Sequence, residues 1–390
     1  MAVAKLRVAI LADYLEEGWP SMDLVADMLF DRLQREHNAS IDPMLVRPTM
    51  RRRVGRIPLG PPWLSGVDRI ANRLWDYPRV VSGLDSRFDL FHIVDHSYAQ
   101  LVHPLPPERT IVTCHDLDTF RSVLDPPLER RSALFRAMTR RILDGLRKAG
   151  HIACDSHATR DALVAKAGIA FERTTVVPNG PHPSCTPEAE PSADIDAARL
   201  LGPKGNFVDL LHVGSTIARK RIDTLLNIFH SLRSAHRNLR LVRVGGPFTA
   251  AQQALVRELD LSDSVVVLPT LDRSTLAAVY RRSAMLLMPS EREGFGLPVL
   301  EALACGTPVV ASDVAALREV GGYAVAYCAV NDVETWHRTV SRLLDERKDH
   351  PSQWTLRREA GIRRAAAFSW SRYASDIVSI YARMGGAALS

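Results

Sequence analysis

Short runs rich in Val and Ile alternate along this chain with longer segments whose apolar residues recur at helical spacing. Residues 6–12, 41–47, 88–94, 110–114, 151–155 and 174–177 read as strands in the first half, and 207–213, 239–245, 265–268, 284–288, 308–312 and 323–328 in the second. Segments such as 21–35 and 130–148 read as the intervening helices. Nearly continuous apolar strands separated by helices are what parallel sheets covered on both faces require. A chain of 390 residues is long enough for two such units, each with its own core. The expected fold class is therefore α/β, with two Rossmann-like domains. The first domain is expected over 1–178 and the second over 199–370. Between them, Pro178, Asn179, Gly180, Pro181 and Pro183 punctuate a Pro-, Ala- and acid-rich stretch so densely that 179–198 is expected to be a linker crossed by no strand or helix.

Function is most concentrated in residues 289 to 311. Two carboxylates, Glu293 and Glu301, bracket the turn Gly294-Phe295-Gly296, and Pro298 stands where a helix would begin, since its fixed φ and missing N–H suit a first helical turn. The turn thus delivers a helix N-terminus, whose unpaired N–H groups and positive dipole end attract an anion, while glycine lets a phosphate approach the backbone. Glu293 before the turn and Glu301 within the first helical turns can both accept hydrogen bonds from hydroxyls of one ligand. A diphosphate flanked by two polyols is a sugar nucleotide.

The run Pro-Ser-Glu-x-Glu-Gly-Phe-Gly-Leu-Pro-Val-Leu-Glu-Ala-x-Ala-x-Gly-x-Pro-Val-Val resembles the donor-site signature of the retaining glycosyltransferases of the GT-B fold, the large family-4 group. Val176-Val177-Pro178-Asn179-Gly180 is similar to that family's interdomain segment. Phe368-Ser369-Trp370-Ser371, with the helical run 372–384, is similar to its terminal helix, which crosses back to the first domain; here that helix is expected over 371–390. The resemblance spans nearly the whole chain, with its specific residues in the second half.

The leaving diphosphate needs fixed cations and N–H dipoles. Gly214-Ser215-Thr216-Ile217-Ala218-Arg219-Lys220-Arg221 follows the first strand of the second domain, at the sheet edge where open α/β folds bind ligands. Arg219 and Lys220 form the natural diphosphate pair, and by resemblance Lys220 is the family's phosphate lysine. Many relatives carry an arginine directly after the strand glycine; Ser215 stands there instead, which leaves open whether Arg219 or Arg221 supplies the second cation. The resemblance further implies that Glu293 and the amides of Gly294, Phe295, Gly296 and Leu297 hold the sugar and Glu301 the ribose. Residues 265–271 would border the base through backbone groups near Thr270 and Leu271.

In the first domain, Thr113-Cys114-His115-Asp116-Leu117-Asp118 ends a strand. By resemblance His115 approaches the transferred sugar, as a neutral imidazole bonding a hydroxyl or orienting the acceptor. Near the N-terminus Gly18 and Trp19 open the first helix, with Ser21 as the expected N-cap. Relatives have a glycine pair there; only Gly18 remains, so this acceptor-side loop is expected to be stiffer. Asp116-Leu117-Asp118 and Asp194-Ile195-Asp196 imitate an Asp-x-Asp metal motif. Neither is read as one, since the first adjoins His115 and the second falls in the linker. No metal site and no cofactor beyond the nucleoside-diphosphate sugar substrate are expected.

Five cysteines at 114, 154, 185, 305 and 328 show no paired spacing and read as buried reduced thiols. No apolar leader or membrane-length apolar run is visible, so the protein is expected in the cytoplasm. A net charge of +6 without a basic stripe interleaved by aromatics argues against nucleic acid as a partner. The acid-free series Arg47, Arg51, Arg52, Arg53 and Arg56, followed by Ile57, Leu59, Trp63 and Leu64, suits an anionic membrane surface or an acidic acceptor, or simply a solvated loop. The implied activity is transfer of a hexose-type sugar to an acceptor hydroxyl on a glycan, a lipid-linked saccharide or a small molecule, by front-face substitution in which the leaving phosphate helps deprotonate the acceptor. A phosphorylase or epimerase of the same fold, or a sugar-nucleotide-binding partner subunit without turnover, are the alternatives.

Overall fold

The computed structural model describes residues 5–53, 63–203 and 207–386. The chain divides into two compact units, 1–179 joined by 369–390, and 180–368.

The first unit is built on a six-stranded parallel sheet ordered β2-β1-β3-β4-β5-β6. Its strands are β1 Leu6–Leu11, β2 Ile41–Val46, β3 Leu90–Ile93, β4 Thr110–Cys114, β5 His151–Cys154 and β6 Thr174–Val176. β3, β4 and β5 are buried along their whole length, and their few polar residues are hydrogen-bonded inside, as His92 is to Thr113 at 2.7 Å. Ala9, Leu11, Phe91, Ile93, Val112 and Ile152 form the centre of the core on one face. The C-terminal helix Trp370–Gly385 belongs to this unit and packs against the helix Pro20–Glu36. It buries Trp370, Tyr373, Ile377, Ile380 and Tyr381, and the Tyr381 hydroxyl lies 2.7 Å from His92 Nδ1.

The helix Pro20–Glu36 begins one residue before the expected cap: Trp19 occupies the N-cap position without a side-chain hydrogen bond, and Ser21 lies inside the first turn. Pro20, with its φ already helical and no N–H to satisfy, moves the start forward.

The second unit repeats the plan with β7 Val208–Val213, β8 Leu239–Val244, β9 Val265–Leu268, β10 Met285–Met288, β11 Val309–Ser312 and β12 Val325–Cys328, ordered β12-β11-β10-β7-β8-β9 and again all parallel. The two-residue alternation divides β10 cleanly: Leu286 and Met288 face the helices around Leu276–Tyr280 and Val299–Cys305, while Met285 and Leu287 face Leu225, Phe229, Trp336 and Leu343.

The expected linker 179–198 is not free of secondary structure, because a helix runs over Pro191–Leu201 and belongs to the second unit. Pro191 sits in its first turn, where a missing N–H costs nothing, and Ala193, Ala197 and Leu201 form a stripe at fourfold spacing that packs against the helix Arg273–Arg282. Asp194, part of the second Asp-x-Asp triplet, pairs with Arg281 at 3.0 Å, and Asp196 pairs with Arg199 at 2.9 Å. Of the basic series, Arg47 is held by Asp27 at 2.8 Å and Arg53 by Asp76 at 2.7 Å. Arg56, Ile57 and Leu59, and the side chains of Trp63 and Leu64, lie outside the described residues. No helix among the described residues is long and apolar enough to cross a membrane.

Candidate functional site

In the second unit, the C-terminal ends of β7, β8 and β10 bring the sequence-distant motifs together. β7 runs into Gly214, Ser215 and a single 3-10 turn, Ala218–Lys220. The carbonyl of Arg219 accepts the backbone N–H of Glu291 at 2.8 Å, which ties this turn to the loop after β10. Lys220 Nζ then donates to Glu293 Oε1 at 2.6 Å, and Arg219 Nη1 to Glu293 Oε2 at 3.2 Å and to the Arg292 carbonyl at 3.1 Å. All three side chains are largely buried. Burial alone would push the Glu293 carboxyl up, but Lys220 and Arg219 outweigh it and hold the group below the usual glutamate range. Arg221 is drawn off to Asp223 at 2.6 Å, so of the two arginines it is Arg219 that lies beside Lys220 on Glu293.

After Glu293 the turn closes as expected. Gly296 takes φ of +107°, where a Cβ would run into Leu317, and caps the helix Leu297–Ala304 with a proline in its first turn. Phe295 is buried edge-to-face on Phe368, with ring centroids 6.0 Å apart. Glu301 is also buried, accepts the Tyr280 hydroxyl at 3.1 Å and has Arg273 at 3.6 Å. Burial raises its pKa, while Arg273 and Tyr280 oppose that shift. Thr270 and Leu271 follow β9 just ahead of Asp272, the N-cap of the helix Arg273–Arg282; Thr270 is exposed and Leu271 half-buried.

The first unit carries a second polar cluster. Along the sheet edge, β1, β3, β4 and β5 are followed by Asp13, Asp95 with His96, His115 with Asp116, and Asp155. His115 is buried, and its ring is occupied at both nitrogens: Nδ1 faces Asp155 Oδ2 at 3.3 Å and Nε2 the Val94 carbonyl at 2.9 Å. Burial alone would lower its pKa, but the Asp155 hydrogen bond and charge, the charge of Asp95 and the Val94 carbonyl raise it to about 9. Where a neutral imidazole was expected, both ring nitrogens face acceptors, which favours the charged ring.

His96, which sequence reasoning did not single out, accepts the His115 backbone N–H through Nδ1 at 3.3 Å, and its Nε2 lies 3.6 Å from Asp116. Burial and the neighbouring Asp95 raise the Asp13 carboxyl well above its usual range, whereas His96 and His115 overcome burial at Asp95 and lower it to about 2. Arg73, in the π-helical turn Asn72–Asp76, reaches Glu17 at 3.4 Å and Ser97 Oγ at 2.8 Å and lies over the Tyr98 ring. The loop with Gly18 in the left-handed region and Trp19 half-exposed follows Glu17 directly. The nearest sequence signal for this cluster was a titratable residue after each of four strands, readable only once strand order is known.

Comparison with known proteins bears on both units. The family model described as Glycosyl transferases group 1 matches residues 198–359, and the one described as Glycosyltransferase Family 4 matches residues 25–184. A D-inositol 3-phosphate glycosyltransferase 1 of Catenulispora acidiphila is 32% identical over 235 residues, covering 57% of this chain and 54% of that protein. A D-inositol 3-phosphate glycosyltransferase of Mycolicibacterium smegmatis is 33% identical over 211 residues, covering 52% of this chain and 46% of that protein. The chain thus spans about half the length of these curated relatives. Among solved structures, a sucrose-phosphate synthase from Thermosynechococcus elongatus superposes with a TM-score of 0.74 at 19% identity, covering 97% of this chain and 98% of that one. HepE from Anabaena, solved in complex with UDP and glucose, superposes with a TM-score of 0.70 at 15% identity, covering 96% and 99%.

Proposed function

The chain belongs to the group 1, family-4 type glycosyltransferases of the GT-B fold, and from that premise we propose that it is a metal-independent retaining enzyme moving a hexose-type sugar from a nucleoside-diphosphate sugar to an acceptor hydroxyl. The observation that carries this reading is the convergence of Lys220, Arg219 and Glu293 beside a glycine turn that opens a helix. Two cations already sharing one carboxylate can turn to a diphosphate, and the Gly294–Leu297 amides add N–H dipoles where leaving-group charge develops. Glu293 then serves the transferred sugar, and Glu301, set by Tyr280, serves the ribose. Thr270 and Leu271 border the base.

In the first unit, Gly18, Trp19 and the cluster around His115 make up the acceptor side, with His115 acting as a charged hub that orients Asp155 and His96. The relatives named for inositol 3-phosphate and the neighbour named for UDP and glucose make a UDP-sugar donor and a hydroxyl-rich acceptor the natural first choices for assay. A thermal-shift screen of nucleoside diphosphates and their sugars tests the donor reading, because a ligand at one hundred times its dissociation constant adds about 2.7 kcal/mol of apparent stability. Acceptor-dependent release of nucleoside diphosphate, with the anomeric configuration followed by NMR, then tests transfer and retention. Dependence on inorganic phosphate, or turnover without acceptor, would instead favour a phosphorylase or an epimerase. Binding without release would favour a partner subunit.

The first unit also carries a surface suited to an anionic membrane. Val67, Ile70 and Trp75 are exposed, and the π-helical turn brings Trp75 round to the same helical face as the other two. Arg79 stacks over Trp75 at 3.7 Å and Arg69 is half-exposed, so apolar and basic groups lie side by side. Flotation with phosphatidylcholine vesicles, with and without phosphatidylglycerol, tests this, and equal absence from both vesicle fractions would reject it.

A further inference from the structure

β8 carries a charge where its neighbours are apolar. In Leu241-Val242-Arg243-Val244 the arginine side chain is inaccessible to solvent. Other buried arginines of this unit have carboxylates: Arg240 pairs with Asp209 at 2.7 Å, and Arg219 with Glu293 at 3.2 Å. No carboxylate among the described residues pairs with Arg243. Its Nη2 donates to the Gly214 carbonyl at 2.9 Å and its Nη1 to the Gly246 carbonyl. Burial brings its pKa down to about 10, which leaves it charged at neutral pH.

A buried guanidinium met only by two carbonyls and by the Phe248 ring, 5.1 Å away, has no counter-charge and is costly unless an anion completes it. The two carbonyls belong to the glycine loops that end β7 and β8, and these loops touch: a Cβ on Gly245 would overlap the Gly214 carbonyl. His212, paired in register with Arg243, is fully buried with neither ring nitrogen hydrogen-bonded. Burial, then Arg243 and Lys220, drives its pKa well down, so it is neutral and offsets none of the charge. A Cβ on Gly214 would lie 3.4 Å from the His212 ring and 3.6 Å from the Lys220 side chain. Gly214 is thus enclosed by His212, Lys220 and Arg243.

A trans peptide points its C=O and the following N–H in opposite directions. With the Gly214 carbonyl turned onto Arg243, the Ser215 N–H points away from Arg243.

We propose that Arg243 is a positioning residue for the leaving diphosphate: it fixes the Gly214 peptide so that the Ser215 N–H faces the phosphates, and from the adjacent strand it adds a positive charge to those of Arg219 and Lys220. This inference rests on reading the second unit as the nucleotide-sugar site. It gives this chain a cation placed beneath the glycine loop rather than on it.

The test uses the full chain and calorimetric titration with UDP, GDP and ADP and with the corresponding monophosphates. Arg243→Met is expected to lower the preference for diphosphate over monophosphate by about ten-fold or more, because one fixed charge acts on the added phosphate. Ser215→Arg in the Arg243→Met background is expected to recover most of that preference. Arg243→Lys, which keeps the charge but loses the fork, is expected to fall between wild type and Arg243→Met, and it carries the comparison if Arg243→Met does not fold. Equal losses for mono- and diphosphate, an unchanged preference, or no recovery in the double variant would overturn the inference. If wild type binds none of the six nucleotides, the reading of the nucleotide site fails instead.

Discussion

Lys220 Nζ and Glu293 Oε1 lie 2.6 Å apart across 73 positions of sequence, and Arg219 holds the other oxygen of the same carboxylate at 3.2 Å. The two cations proposed to meet the diphosphate are therefore not waiting in solvent; they already share one carboxylate, that of the residue proposed to meet the sugar. Losing one partner from a buried ion pair costs about 3–5 kcal/mol when the other charge is left alone. Here the remaining cation limits that cost, so the triad can exchange partners when a diphosphate arrives. Donor binding is expected to pull Lys220 and Arg219 toward the phosphates and leave Glu293 to a sugar hydroxyl.

Lys220→Ala should accordingly reduce turnover far more than it disturbs folding. Arg219 still compensates Glu293, while a charge that strengthens as the leaving group departs is gone; one such donor contributes about 10²–10³ in rate. Turnover at saturating donor, measured on a variant whose thermal melt confirms folding, checks this. Wild-type turnover in the folded variant would remove Lys220 from the mechanism.

Chelation separates fixed cations from a metal. With Arg219, Lys220 and the Gly294–Leu297 amides serving the diphosphate, excess EDTA should change the rate by less than about two-fold, because nothing in that set depends on a divalent ion. Loss of activity restored by magnesium or manganese would transfer the leaving-group role to a metal and reopen Asp116 and Asp118 as ligands.

The parts of this molecule legible in its sequence are those where one physical demand dominates locally. The strand 285–288 is buried on both faces and must be apolar on both, and the Gly296 turn must be glycine. The helix Pro191–Leu201 was hidden because its stripe is made of alanines inside a Pro- and acid-rich stretch, where turn formers outweigh a weak periodicity. The state of His115 was hidden for a different reason. Its partners, Val94 and Asp155, come from the strands on either side of β4, so they become neighbours only through sheet order. Arg243 was visible as a break in an apolar run, but its meaning lies in two carbonyls on separate loops.

The His115 imidazolium makes stability depend on pH. Its folded pKa of about 9 exceeds the ordinary histidine value of 6.5, so the folded state holds this proton more tightly than the unfolded chain does. The resulting stabilisation, of order 1–3 kcal/mol, is complete below about pH 6.5 and is lost as pH rises through 9. Melting temperature should fall between pH 6.5 and 9.5, and the fall should be shallower in His115→Asn whatever that variant's absolute stability. Parallel pH profiles would show that His115 is neutral in the folded protein.

The two glutamates distinguish the ends of the donor. Glu301 is anchored by Tyr280 and Arg273 away from the Lys220 pair, so a nucleoside diphosphate and its sugar should meet it equally through the ribose. Glu301→Ala should weaken both ligands by a similar factor of about ten or more, the worth of hydrogen bonds to a charged group. Glu293 differs, because its carboxylate competes with the diphosphate for Lys220 and Arg219. Glu293→Gln keeps the shape and removes that competition. The bare nucleoside diphosphate should then bind as tightly as in wild type, or more so. The sugar donor should lose that advantage, and turnover should fall if the carboxylate contact tightens as the sugar gains positive character. Calorimetric titration of each variant with each ligand yields four affinities. A donor-only loss in Glu301→Ala, or a weakened nucleoside diphosphate in Glu293→Gln, would show that the carboxylates serve other ends of the ligand than those assigned here.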